Sequence, residues 1–202
     1  MMPKNIYKLK DGTVVPGVTT IINQLDKPQL IQWAWKLGCE GKDWREERDS
    51  AGDIGTLVHE AVLHFFTGEA IDLHDQTVAK CFGKFLHWWN EEIKRLGEPK
   101  VIVEQPMVSE KLKYGGQFDL YFVDWQRRAD VKTSNGIYDS FWLQLAGYDI
   151  LGLENNQKVK CHQILWLPKD DRFACPIRTD LRKEKGIFKH LLEIYKLRHD
   201  ND

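Results

Sequence analysis

Around residue 98 the spacing of apolar residues switches from the period of a helix to that of a strand, so the chain must bury a sheet and helices against one another. Upstream, Ile54, Val58, Val62 and Phe65 recur at intervals of three and four, which predicts an amphipathic helix from about residue 50 to Gly68. VTTIINQL reads as a short helical segment. LIQWAWKLG reads as a helix with Pro28 in its first turn and Gly38 near its end, and residues 75–96 as a fourth helix. Downstream, VIVEQPMV, YGGQFDLYFV and RRADVKT are rich in β-branched and aromatic residues and are separated by short polar connections, which predicts an antiparallel three-strand meander. SFWLQLAGYDILGL returns to helical spacing with Asp139 or Ser140 as its N-cap, and KCHQILWLP follows as a strand. If that strand runs parallel to RRADVKT, the helix between them is a right-handed crossover. FACPIRT is expected at a sheet edge because Pro176 lacks an amide donor, and residues 180–197 as an amphipathic closing helix. The expected class is α/β in the α+β sense: a mixed central sheet flanked by helices, with a helical N-terminal third.

The 202 residues suffice for one full core, and no repeat or Gly/Ser-rich linker divides them, so a single domain 1–202 is expected. Within it, 1–97 is the mainly helical part, 98–180 the sheet and crossover helix, and 181–202 the C-terminal helix. A formal net charge of −1 excludes a whole-molecule field that attracts polyanions, so any nucleic-acid contact must come from local patches. Lys111, Lys113, Arg127, Arg128, Lys158 and Lys160 are candidates, with solvated turn residues as the equal alternative. The opening MMPKNIYKLKDGTVVPG has no apolar signal core and no run is long enough to cross a bilayer, so a cytoplasmic protein without membrane association is expected. The four cysteines form no C-x-x-C pair and read mainly as ordinary buried thiols. Among the eight tryptophans, Trp33, Trp35, Trp88 and Trp89 fall on expected helices, where packing is favoured over base stacking.

Chemistry enters with ADVKT. In a strand Asp130 and Lys132 point to one face and Val131 to the other. In YGGQFDLYFV the residues Phe118, Leu120 and Phe122 are expected to share an apolar face, leaving Gln117, Asp119 and Tyr121 opposite. If the two strands are hairpin neighbours, Asp119 sits beside Asp130, and two such carboxylates repel unless a cation lies between them. Oxygen ligands suit Mg²⁺ or Mn²⁺, which can acidify a bound water and neutralise a phosphoryl oxygen, while Lys132 orients the nucleophile or stabilises developing charge. An isolated D-x-K is also common as a surface pair.

Four motifs in order give the sequence its resemblance to the RecB-like branch of the PD-(D/E)XK nuclease superfamily, over residues 18–151. These are GTLVH (Gly55, His59), the G-G-x-x-D of Gly115, Gly116 and Asp119, the D-x-K of Asp130 and Lys132, and the Q-x-x-x-Y of Gln144 and Tyr148. The resemblance implies a restriction-endonuclease-like core and a Mg²⁺- or Mn²⁺-dependent deoxyribonuclease with His59, Asp119, Asp130 and the Val131 carbonyl as metal ligands. Lys132 would act on the attacking water, Gln144 and Tyr148 would support the site, and Glu104 would assist a second metal or the water, or else be a solvent-facing edge residue. It also implies linear DNA, duplex or single-stranded and read without sequence specificity, as substrate, an exonuclease of phage type acting in the host cytoplasm, and a recombination or replication protein as further partner. Some relatives hold an iron–sulfur cluster; Cys161 and Cys175 stand apart, and no cluster is expected. HEAVLH resembles the zinc-protease H-E-x-x-H, but its histidines, five residues apart, lie about 140° apart around a helix, which excludes a shared zinc. The competing readings are a non-catalytic DNA-end-binding or partner-binding module and a hydrolase of a small substrate, which would need a closed pocket.

Overall fold

The computed structural model describes residues 6–199 and places a five-stranded sheet between two layers of helices. A small antiparallel hairpin, β1 (Tyr7–Lys8) and β2 (Val14–Val15), opens the described chain and is not predicted by the apolar spacing. It leads into α1 (Val18–Ile22), α2 (Pro28–Cys39), α3 (Trp44–Thr67) and α4 (Gln76–Leu96). Helix α3 begins two turns before the expected start. Asp43 caps it by accepting from the Arg45 amide at 2.8 Å, and Glu46 and Glu47 sit in the first turn, where the helix dipole favours acids. Those turns face solvent, so they carry no apolar stripe for periodicity to detect. Gly68, in the left-handed region at φ 77°, ends the helix.

After α4 come β3 (Val101–Val103), β4 (Pro106–Ser109), β5 (Tyr114–Gln117), β6 (Leu120–Phe122), β7 (Arg127–Lys132), α5 (Asp139–Glu154), β8 (Cys161–Trp166), β9 (Ile177–Arg178) and α6 (Arg182–His199). The central order is β3-β6-β7-β8-β9, antiparallel except for β7 against β8, which α5 joins as the crossover. The N-cap of α5 is Tyr138, in extended conformation, instead of Asp139 or Ser140; Asp139 becomes the first helical residue. Strand β9 follows Pro176 at the sheet edge.

VIVEQPMV and YGGQFDLYFV each break in two. Glu104 adopts φ 46°, in the left-handed region, and Phe118 and Asp119 lie outside both flanking strands, so the inner halves β3 and β6 join the central sheet while β4 and β5 form a separate pair. The break reverses the expected alternation. Phe118 packs with Tyr121, Val18 and Tyr148, whereas Leu120 and Phe122 lie in the opposite layer with Val58, Val62, Phe85, Trp88 and Trp89 of α3 and α4. Strict two-residue alternation needs an unbroken strand, and this one ends at Asp119.

Strand β7 keeps its alternation. Ala129 and Val131 face the α3–α4 layer, Arg127 reaches Glu92 of α4, and Arg128 meets Asp149 of α5. Trp88 and Trp89 fill the core as expected, but Trp35 is 73% exposed on α2. Of the free cysteines only Cys81 is fully buried, and Cys39 is exposed.

Candidate active site

Strand register brings the acids together. Leu120 pairs with Ala129 and Val103 with Leu120, so one step further Asp119 falls opposite Asp130, and Glu104 opposite Asp119. The Glu104 amide donates to the Asp119 carbonyl at 2.9 Å. Three carboxylates thus stand in a row where the ribbon forks, Asp130 within β7 and Asp119 and Glu104 just beyond the ends of β6 and β3. Because β6 has ended, the Val131 amide turns to a side chain and donates to Asp119 Oδ2 at 2.7 Å.

Asp130 is fully buried on β7, with its Oδ2 2.5 Å from Lys132 Nζ. Among the described residues neither of its oxygens has a well-directed hydrogen-bond donor. Burial pushes its carboxyl up to about 6, Lys132 pulls it back and Asp119 adds to the rise. Burial likewise raises Asp119, countered by Lys132 and the Val131 amide, and raises Glu104, helped by the charges of Asp119 and Glu60. For Lys132, burial acts downward but the two carboxylates outweigh it, so the group is held above its ordinary value as an ammonium.

His59 approaches Asp119 from α3. One turn earlier, a Cβ at Gly55 would come within 3.2 Å of Thr133 Oγ1, so the absence of a side chain there lets the helix lie close to the end of β7. His59 Nδ1 stands 3.5 Å from Asp119 Oδ2, and burial, then the Lys132 charge, push its imidazole down to about 4. It is therefore neutral near pH 7 with a lone pair free to ligate. The other histidine of HEAVLH, His64, turns away to Ala70 and Glu69.

The paired glycines also have a packing reason. A Cβ at Gly116 would come within 2.8 Å of the Tyr148 ring and of Val18, and one at Gly115 within 2.5 Å of Tyr7. Tyr148, buried beside the acids, accepts from Gln144 Nε2 at 2.8 Å; burial and the charges of Asp130 and Asp119 keep its hydroxyl protonated.

Above these residues runs a groove of about 950 Å³ that reaches His59, Val131, Lys132 and Gln144. Its walls carry Lys27, Arg48 and Lys169, together with Trp33, Tyr138 and Phe141. None of these six stood out as a site candidate in the sequence, because they come from separate elements and form no local pattern. The basic residues singled out there lie elsewhere. Arg127 and Arg128 are 5% and 0% exposed and engaged by Glu92, Gln163, Gln157 and Asp149, so they are not available to phosphates. Lys158 and Lys160 precede β8, which pairs there with Arg127, some five residues of strand, or about 16 Å, from Lys132.

The donor set suits a hard divalent cation: the buried Asp130 carboxylate, the partly buried Asp119 carboxylate, a neutral imidazole and the Val131 carbonyl, which His59 approaches closely enough to feel as a hydrogen-bond acceptor. Among the described residues no three His, Cys, Asp or Glu side chains already converge on one point, and Lys132 is the charge that compensates Asp130. The unsatisfied Asp130 Oδ1 is what a cation would meet, so the residues fit one.

No family model matches the chain, and neither does any curated protein. Among solved structures, the chain is similar to a crystal structure from Eubacterium rectale provisionally described as an exonuclease. The TM-score is 0.52 at 14% identity, covering 72% of this chain and 65% of that one. The structure SSO0001 aligns with a TM-score of 0.40 at 14% identity over 73% of this chain and 76% of its own, too distant to bear on the fold. The first likeness, with the mixed sheet and the six helices among the described residues, shows an α+β fold shared with that protein. No helix among the described residues is long and apolar enough to cross a membrane.

Proposed function

We propose that the protein is a Mg²⁺- or Mn²⁺-dependent deoxyribonuclease of the RecB-like kind, working from the ends of linear DNA. The observation that supports it most is the pairing of His59 with Asp119 and of Lys132 with Asp130 beside an open groove that reaches His59 and Lys132 and whose walls add three cations. A small-molecule hydrolase would enclose its substrate, whereas this groove can admit a long strand.

In this reading His59, Asp119, Asp130 and the Val131 carbonyl hold the ion, with Glu104 beside Asp119. When bound, the ion would lower the pKa of a water and take up charge on a phosphoryl oxygen. Lys132, already an ammonium, would orient the attacking oxygen by a hydrogen bond or stabilise the negative charge that develops on the phosphate. Gln144, at the groove wall, is oriented by its hydrogen bond to Tyr148, which is in turn seated on Gly116. Lys27, Arg48 and Lys169 neutralise flanking phosphates.

The test is cleavage of end-labelled linear DNA beside closed circular DNA, with Mg²⁺, Mn²⁺ or EDTA. Asp119→Ala, Asp130→Ala and Lys132→Ala should each abolish degradation while circular dichroism stays native. Cleavage retained by two folded variants would overturn the assignment, and cleavage of closed circles would replace exonuclease with endonuclease.

A further inference from the structure

Lys132 has two neighbours of opposite character. Its Nζ is 2.5 Å from Asp130 Oδ2 and also 5.2 Å from the centre of the Phe141 ring. The carboxylate is a partner that a bound cation would draw upon. A lysine on a four-carbon stem that loses its ion-pair partner regains rotamer freedom, at some cost to alignment. An aromatic face attracts an ammonium without neutralising it and does not compete with phosphate for it, and the attraction is strongest where water is thin. Only 16% of the Lys132 side chain is exposed.

The ring is also well held. Phe141 lies in the first turn of α5, its amide donating to the Tyr138 carbonyl at 3.0 Å, and the Tyr138 ring meets it edge to face at 5.4 Å. Its inner side packs against the cluster of Trp142, Leu145, Ile164 and Trp166. The connection before it is tied down by Trp166 Nε1, which donates to the Ser134 carbonyl at 2.7 Å. A partner fixed by a helix, a strand and a pinned loop can define where a flexible cation rests.

We propose that Phe141 is a positioning residue for Lys132, its ring face keeping the ammonium at the groove floor when Asp130 is engaged by metal. The inference rests on the nuclease reading for its kinetic consequence, but not for its geometry. Neither the D-x-K nor the Q-x-x-x-Y pattern includes this residue.

The test compares Phe141→Leu, which keeps an apolar side chain without a π face, with Phe141→Tyr, which restores the face. In full-length protein with ¹³C-labelled lysine, the ε-methylene signal missing from Lys132→Arg should be shifted upfield in wild type and in Phe141→Tyr, and relaxed in Phe141→Leu. On linear DNA with Mg²⁺, Phe141→Leu should lose about tenfold in kcat, equivalent to about 1.4 kcal/mol, with KM unchanged, and Phe141→Tyr should recover it. An unshifted signal in wild type, an equal shift in Phe141→Leu, or an unchanged kcat overturns the proposal. A rise in KM alone also overturns it, because the ring would then be touching substrate. If wild type cleaves nothing, the nuclease reading fails, and the lysine signal alone decides the placement of the ring. Should the leucine variant not fold, Phe141→Met goes through the same two measurements.

Discussion

Asp130 is fully buried, and its carboxyl is displaced from 3.8 to about 6, so the metal-free fold bears a cost for each ionised molecule. About two pKa units at about 1.4 kcal/mol each give about 3 kcal/mol, and the attraction of Lys132 is already included because it acts on the same carboxyl. A carboxyl with a raised folded pKa binds its proton more tightly in the fold. The cost is therefore fully present above pH 6 and disappears as pH falls through 3.8. Asp130→Asn removes the charge at nearly constant shape. For a chain of this length, about 3 kcal/mol corresponds to a rise in Tm of about 6–12 °C. Thermal denaturation at pH 7.5 in EDTA should show that rise, and the gap between variant and wild type should close by about pH 4. Adding Mn²⁺ should raise the Tm of wild type but not of the variant, because only wild type gains binding energy in the native state. A variant less stable than wild type at pH 7.5, or a gap independent of pH, would refute the account of Asp130 as a carboxylate waiting for a cation.

His59 supplies the opposite slope. Its folded pKa of about 4 lies below the ordinary 6.5, so the stability it gives is present above pH 6.5 and lost as pH falls to about 4; His59→Gln should remove that loss in an acid titration followed by fluorescence, and should weaken Mn²⁺ binding by calorimetry. Gly116→Ala drives a methyl into Tyr148 and Val18 and should cost about 1–3 kcal/mol in chemical denaturation; a neutral result would show that Tyr148 is not seated there. Alanine at Arg48 or Lys169 should each lower the slope of log affinity against log salt by about one in DNA titrations with EDTA, whereas Arg127→Met should leave that slope unchanged.

What the sequence revealed follows from which residues conflict with their surroundings. Asp130 was legible as a candidate because an acid inside an apolar strand is costly enough to need a reason, Asp119 because it interrupts an apolar run, and helices α3 and α4 because their buried stripes repeat at the helical period. The fork at Glu104 was not legible, since a left-handed backbone at a non-glycine residue leaves no composition signal. Arg127 and Arg128 misled because adjacent arginines read as exposed, whether as phosphate contacts or as solvated residues, while in β7 they point to opposite layers and each finds buried partners. The cations of the groove wall come from Lys27, Arg48 and Lys169, which only the folded chain brings to one groove.

The fork gives the ribbon two mechanically separate halves. Its inner half, β3 and β6, is tied to the central sheet and fixes the height of the acids, whereas the tip between Ser109 and Tyr114 closes a pair of strands that belongs to a different sheet. Lengthening that tip should change the outline of the molecule and leave the acids aligned, while a single residue added between Val103 and Pro106 would turn Glu104 out of the row. Tolerance to insertion along this hairpin therefore changes abruptly within a few residues, at the point where the backbone of Glu104 turns left-handed.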